Sequence, residues 1–228
     1  MTINHHPDDA TLVAYTAGAV TEAISLVVAA HLEFCPQCRG RVRDATALGG
    51  ALLADLDPTP LGEGALAAAL ARIEAPVETQ TGPGAAPAPI AAPARKPGTA
   101  DGLPATLEAW LPDGLDGVPW RTLAPGVRHF RLSGVDSGEG TVRLLTIAPG
   151  TALPHHGHGG TELTLVLRGS FADEVGRFAP GDCADLDPSV QHQPVADADT
   201  PCICLIATDA RLRFSGLLGR LFQPLVGI

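Results

Sequence analysis

The sequence predicts an α + β chain of two domains, a small helical bundle followed by a β-barrel or sandwich. Three observations carry that expectation. Apolar residues recur at helical spacing through the first 75 residues. Residues 76–104 then hold seven of the 21 prolines (Pro76, Pro83, Pro87, Pro89, Pro93, Pro97, Pro104) among Gly and Ala, the composition of a semi-rigid, extended linker. After it, short apolar runs alternate with Gly, Pro and Asp, as strands separated by turns do. The expected boundaries are 1–75, 76–104 and 105–228.

Within the first domain, Pro7-Asp8-Asp9 opens a helix carrying Leu12, Val13 and Tyr15, and Gly18 ends it. Thr21 N-caps a second, in which Ile24, Val27, Val28 and His31 share an apolar face. Cys35-Pro36 opens a third, with proline at the favoured first position. It either continues through Ala45, Leu48, Leu52 and Leu53 or kinks or ends at Gly49-Gly50. A fourth, Ala-rich helix runs from about Leu61 to Ile73.

In the last domain, Arg143–Ile147, Leu163–Leu167, Asp182–Leu186 and Cys202–Ala207 read as strands. Trp120–Leu123 and Val127–Leu132 are weaker candidates. So many short strands in about 100 residues suit a sandwich or small barrel. The apolar tail, with Leu217, Leu218, Leu221 and Phe222, reads as a helix packed on a barrel face, since it has too few Lys and Arg for a membrane-surface helix.

Hydrophobic residues make up 45% of the chain and aromatics only 4%, so the core is built from Ala, Val and Leu. A formal net charge of −10 opposes nucleic acid as a direct partner. Residues 1–75 repeat the pattern, with four Arg against nine Asp and Glu. The N-terminus lacks the basic and apolar regions of a leader, and no apolar run spans a bilayer. With five cysteines, an odd number, no disulfide framework is indicated, and the chain reads as cytoplasmic, reduced and not membrane-bound.

Two clusters carry metal-ligand chemistry. The first is His31-x3-Cys35-x2-Cys38, which sets three soft N/S donors at the junction of two helices. Zinc in a structural site takes four such donors tetrahedrally. The fourth must come from His6 or His5; His6 is preferred because it directly precedes the first helix. The helix N-terminus at Cys35 favours thiolates. A redox CxxC pair or plain buried thiols are the alternative, and the upstream histidine and helical setting count against it.

The second cluster is Gly150-x5-His156-Gly-His158-x3-Glu162-x6-Gly169, with His192 downstream of Pro188. His156 and His158, two apart, share one side of a strand, and Glu162, Thr164 and Val166 share a face of the next. Three histidines and one carboxylate suit a divalent metal: Zn, Mn, Fe or Ni. Cys183, Cys202 and Cys204 read as strand packing residues.

The His6, His31, Cys35, Cys38 pattern resembles the zinc-binding anti-sigma factors, and Gly150 to Gly169 resembles the first cupin motif. The second cupin motif is degenerate: Pro180-Gly181-Asp182 and Pro188-x3-His192 stand, without the usual intervening glycine. Zinc module, Pro-rich linker, cupin and a final Cys-Ile-Cys-Leu segment, in that order, resemble the ChrR-type anti-sigma factors. The resemblance implies 1:1 sequestration of an extracytoplasmic-function sigma factor, relieved by an oxidative signal such as singlet oxygen or an organic hydroperoxide. The competing expectation is a metal-dependent cupin enzyme, a dioxygenase or isomerase, with a helical docking module; Arg128, His129 and Arg143 are the further side chains that could reach its pocket.

Overall fold

Asp8 and Thr21 start the first two helices as N-caps, their side chains accepting the backbone N–H groups of Thr11 and Ile24. The computed structural model describes residues 2–74, 103–135, 140–209 and 212–214. In it α1 spans Asp9–Thr16, α2 Glu22–Phe34, α3 Pro36–Ala54 and α4 Ala65–Glu74. Cys35 caps α3, with Pro36 in its first turn. That helix runs unbroken through Gly49-Gly50, so continuation wins there; each glycine costs about 1 kcal/mol relative to alanine but leaves every backbone donor in place. The fourth helix begins later than Leu61, because Gly64 adopts φ +82° immediately before Ala65.

Twelve strands follow: β1 Arg121–Ala124, β2 Val127–Arg131, β3 Thr141–Ile147, β4 His156–His158, β5 Glu162–Arg168, β6 Phe171–Ala172, β7 Arg177–Phe178, β8 Cys183–Leu186, β9 Gln191–His192, β10 Val195–Ala196, β11 Cys202–Thr208 and β12 Leu212–Phe214. The six runs expected from sequence form one antiparallel sheet, ordered β1-β2-β3-β11-β5-β8. Two three-stranded sheets, β10-β6-β7 and β12-β4-β9, come from strands of two or three residues. Gly169 turns the chain out of β5 at φ +69°, where a Cβ would lie 2.4 Å from the Pro201 carbonyl oxygen.

The central strands β3, β11 and β5 are buried on both faces, whereas β1 and β2 lie toward solvent at one edge. Strand alternation puts Val166, Cys202, Cys204, Ile147, Ala184 and Leu186 on the inner face, where they pack with Phe171, Phe178 and Ala196 of the small β10-β6-β7 sheet. Leu163, Leu165, Leu205, Leu144 and Cys183 point the other way, into a core shared with Ala23, Ile24, Val27, Val28 and Ala30 of α2. Burying each of Ile24, Val27 and Val28 contributes about 1.5–3 kcal/mol of transfer free energy. Leu103, Leu107, Leu111 and Leu115 close the same core. The Glu33 carboxylate at the end of α2 anchors this segment, accepting from the Ala105 and Thr106 N–H groups at 2.8 Å each.

The helical module and the barrel thus meet across a common core. Leu103, counted to the linker from sequence, is 1% exposed within it. The rest of the expected linker (76–102) and tail residues 215–228 lie outside the described residues. No helix among the described residues is long and apolar enough to cross a membrane.

Candidate metal centres

The junction of α2 and α3 brings His31 and Cys35 together, because the Cys35 N–H still bonds the His31 carbonyl at 3.0 Å. One turn into α3, the Cys38 N–H donates to Cys35 Sγ at 3.4 Å. His31 Nε2 lies 3.3 Å from Cys38 Sγ, and His6 Nδ1 lies 3.4 Å from both sulfurs. All four donor atoms fall within 4.8 Å of one another. A tetrahedral zinc with bonds of about 2.0–2.3 Å has ligand–ligand edges of roughly 3.3–3.8 Å, so the donor set fits that ion.

Between the two candidate N-terminal histidines the geometry favours His6. The His5 ring is turned onto Phe178 instead, with centroids 4.3 Å apart. His31 Nδ1 lies 3.0 Å from the Gly181 carbonyl, which can only accept, so Nδ1 carries the proton and Nε2 keeps its lone pair for a metal. Burial lowers the His31 pKa to about 4, which keeps the ring neutral. Burial, followed by the hydrogen bond and charge of Cys35, pushes the Cys38 thiol up to about 12. A divalent cation supplies the positive charge that reverses this and yields a thiolate ligand.

Inside the barrel, β4, β5 and β9 bring His156, Glu162 and His192 together, all buried, with donor atoms within 4.8 Å of one another. The two imidazoles sit 4.6 Å apart, centroid to centroid. His156 Nδ1 lies 2.8 Å from the Pro154 carbonyl, which leaves Nε2 for the cluster. Thr164 Oγ1 donates to Glu162 Oε1 at 3.1 Å and fixes the carboxylate. His158 lies in β4 two residues after His156; its side chain is outside the described residues. His155 sits apart at the surface, 3.8 Å from Glu174.

Two supporting elements escape the sequence reading. Asp173 accepts from His192 Nδ1 at 2.7 Å, the carboxylate–histidine arrangement that orients a metal-bound imidazole. Burial opposes ionisation of Asp173, but the hydrogen bonds from His192, Gly176 and Val175 outweigh it and hold its pKa below the ordinary value. No spacing rule announces Asp173: it lies 19 residues before its partner, in a turn. The other element is Gly181, read in the sequence only as part of a degenerate motif.

The inner face also carries Cys202 and Cys204, with sulfurs 3.5 Å apart. Arg143 and His129 of the sequence-derived pocket set lie 3.0 Å from each other, Nη1 to Nδ1, across β3 and β2. Arg128 belongs to the opposite side of β2.

The chain has relatives among known proteins. A family model described as the ChrR cupin-like domain matches residues 114–211. The chain is 45% identical over 224 residues to the anti-sigma-E factor ChrR of Cereibacter sphaeroides, covering 98% of each protein. Among solved structures, the complex of Rhodobacter sphaeroides SigE with the anti-sigma ChrR matches at 43% identity and TM-score 0.70, over 91% of this chain and 99% of that one.

Proposed function

This chain belongs to the ChrR family of anti-sigma factors, and on that premise we propose that it sequesters an extracytoplasmic-function sigma factor 1:1 through its helical module. The family is one of regulators, so the cupin-enzyme expectation is set aside. The observation that supports the partner surface is the distribution of exposed apolar side chains. Among the described residues, eight of the eleven exposed large hydrophobics fall between Leu48 and Ile73. On α4, Leu66, Leu70 and Ile73 repeat at helical spacing with no buried neighbour on any face. Apolar surface so concentrated marks a site of protein association. Because that partner works with RNA polymerase, the reading places the chain in the cytoplasm.

In this reading His6, His31, Cys35 and Cys38 hold structural zinc at the root of α3 and so set the direction of the α3–α4 arm. The cupin site, His156, His158, Glu162 and His192, holds a divalent metal. There it receives the releasing signal, singlet oxygen or an organic hydroperoxide. Release requires that the signal favour a state with weaker sigma affinity; equal binding to both states moves nothing.

The test is titration calorimetry of the full, zinc-loaded chain against the extracytoplasmic-function sigma factors of its own genome, produced singly. One of them binds at 1:1 on this account. Absence of binding to every one of them rejects it.

A further inference from the structure

The two cysteines of the first centre are held by helix geometry, but both histidines are held by the barrel. The Ala179–Asp182 turn has Pro180 second and Gly181 third, with Gly181 at φ +88° and the Asp182 N–H bonded to the Ala179 carbonyl at 2.9 Å, the pattern of a type II turn. Its Gly181 carbonyl accepts from His31 at 3.0 Å. Asp182 is 1% exposed; its Oδ2 accepts from the Ala179 N–H at 2.9 Å and locks the carboxylate into its own turn. The other oxygen, Oδ1, accepts the backbone N–H groups of Asn4 at 2.7 Å and His5 at 3.0 Å.

The strap around His6 has further ties to the same strand. The Cys183 N–H donates to the His5 carbonyl at 3.1 Å, and the Asp8 N–H donates to Asp185 Oδ2 at 3.0 Å. The His5 ring lies on Phe178 in a space that Gly176 leaves open, since a Cβ there would come 3.1 Å from His5 Cε1. His6 is therefore bracketed on both sides by residues bonded to β8 and the turn before it, with the His5 ring stacked on Phe178 of β7, and α1 begins only at Asp9.

We propose that this cupin turn is the outer shell of the zinc site, with Gly181 and Asp182 as positioning residues for His31 and His6. The proposal rests on the zinc reading above and deepens it. Outer-shell partners that fix a ligating histidine change metal affinity by about 10–100-fold. Zinc binding and seating of the helical module on the barrel are then linked and reciprocal: each strengthens the other by the same factor. The turn is also tied to the strand that carries the cupin carboxylate. The Gly181 N–H bonds the Val166 carbonyl at 2.8 Å, and Leu186 of β8 is in register with Glu162 of β5. A shift of β8 against β5 reaches His31 through this one turn and His6 through the turn and the strap's own bonds to Cys183 and Asp185.

The experiment uses the full chain, loaded with zinc and mixed with a chromogenic chelator, as wild type, Asp182→Ala and His5→Ala. Neither substitution removes a zinc ligand. Asp182→Ala is expected to release zinc about tenfold faster or more, and His5→Ala about threefold faster. The rise in melting temperature that zinc confers on the metal-free chain should shrink in both, which a purely structural role would not produce, because it lowers both melting temperatures equally. If both variants release zinc at the wild-type rate with an unchanged zinc-induced rise, the proposal fails. Should Asp182→Ala not fold, Asp182→Asn, which replaces one of the two accepting oxygens by an amide nitrogen that cannot accept, decides by the same two readouts. A wild-type chain that takes up no zinc overturns the underlying zinc reading itself.

Discussion

Helix α2 and the α3–α4 arm are both rich in Leu, Val and Ala, yet they end in opposite environments. On α2, Val27 and Val28 are fully buried against the barrel sheet. Along the arm, Leu52 is 63% exposed and Leu66 72% exposed, and α4 buries nothing. The hydrophobic pattern alone separates neither case from the other. What separates them is topology: the outer face of the large sheet is packed by α2 and residues 103–118, which share one core with it. Among the described residues nothing covers the remaining apolar stripe, and a solved relative, ChrR, is in complex with a sigma factor. On the proposed reading, core and interface are the same chemistry placed on two sides of the helix junction at Cys35.

Substitutions can break that contrast. The largest effect is expected from Val27→Asp, which buries an unpaired charge in the shared core; the loss should exceed about 4 kcal/mol and abolish cooperative urea unfolding. Cys38→Ser comes next. It removes a thiolate from a site whose zinc binding energy is coupled to folding, so metal analysis of the purified protein should find the N-terminal zinc gone and calorimetry should find sigma binding lost. The paired change Leu66→Asp and Leu70→Asp should leave stability within about 0.5 kcal/mol per site by urea titration, because both side chains are exposed among the described residues. Sigma affinity should nevertheless fall at least about a hundredfold, as loss of central apolar anchors does. Asp173→Asn is the mildest, weakening metal binding at the barrel centre by about 10–100-fold in competition with a chelator while sigma binding stays as in wild type.

Much of this contrast is legible in sequence, and the exceptions have physical causes. The six apolar runs that read as strands all lie in one sheet, and the four stronger ones are its buried strands β3, β5, β8 and β11, where most side chains are selected for packing, while the two weaker ones are its more exposed strands β1 and β2. Strands of the two smaller sheets are two or three residues long, too short to show an alternation. Likewise, His31-x3-Cys35-x2-Cys38 is visible because its ligands are neighbours on two consecutive helices. In sequence His6 rests on its place before α1; the fold separates the two histidines by setting His6 Nδ1 3.4 Å from both sulfurs and turning the His5 ring onto Phe178. Asp173 and Gly181 are invisible for a related reason: their partners, His192 and His31, lie 19 and 150 residues away and are met only through the barrel's folding. The shared core was hidden by the Pro-rich span, which marks a change of architecture but says nothing about whether the parts on either side pack together.

The central claim is that the exposed arm, not the buried helix, is the sigma-binding surface. It is tested most directly by calorimetry of the full zinc-loaded chain against its extracytoplasmic-function sigma factor, with wild type and the Leu66→Asp, Leu70→Asp variant side by side. The account predicts 1:1 binding for wild type and an affinity at least about a hundredfold weaker for the folded variant. Equal affinities for the two would contradict it and place the interface elsewhere on the molecule.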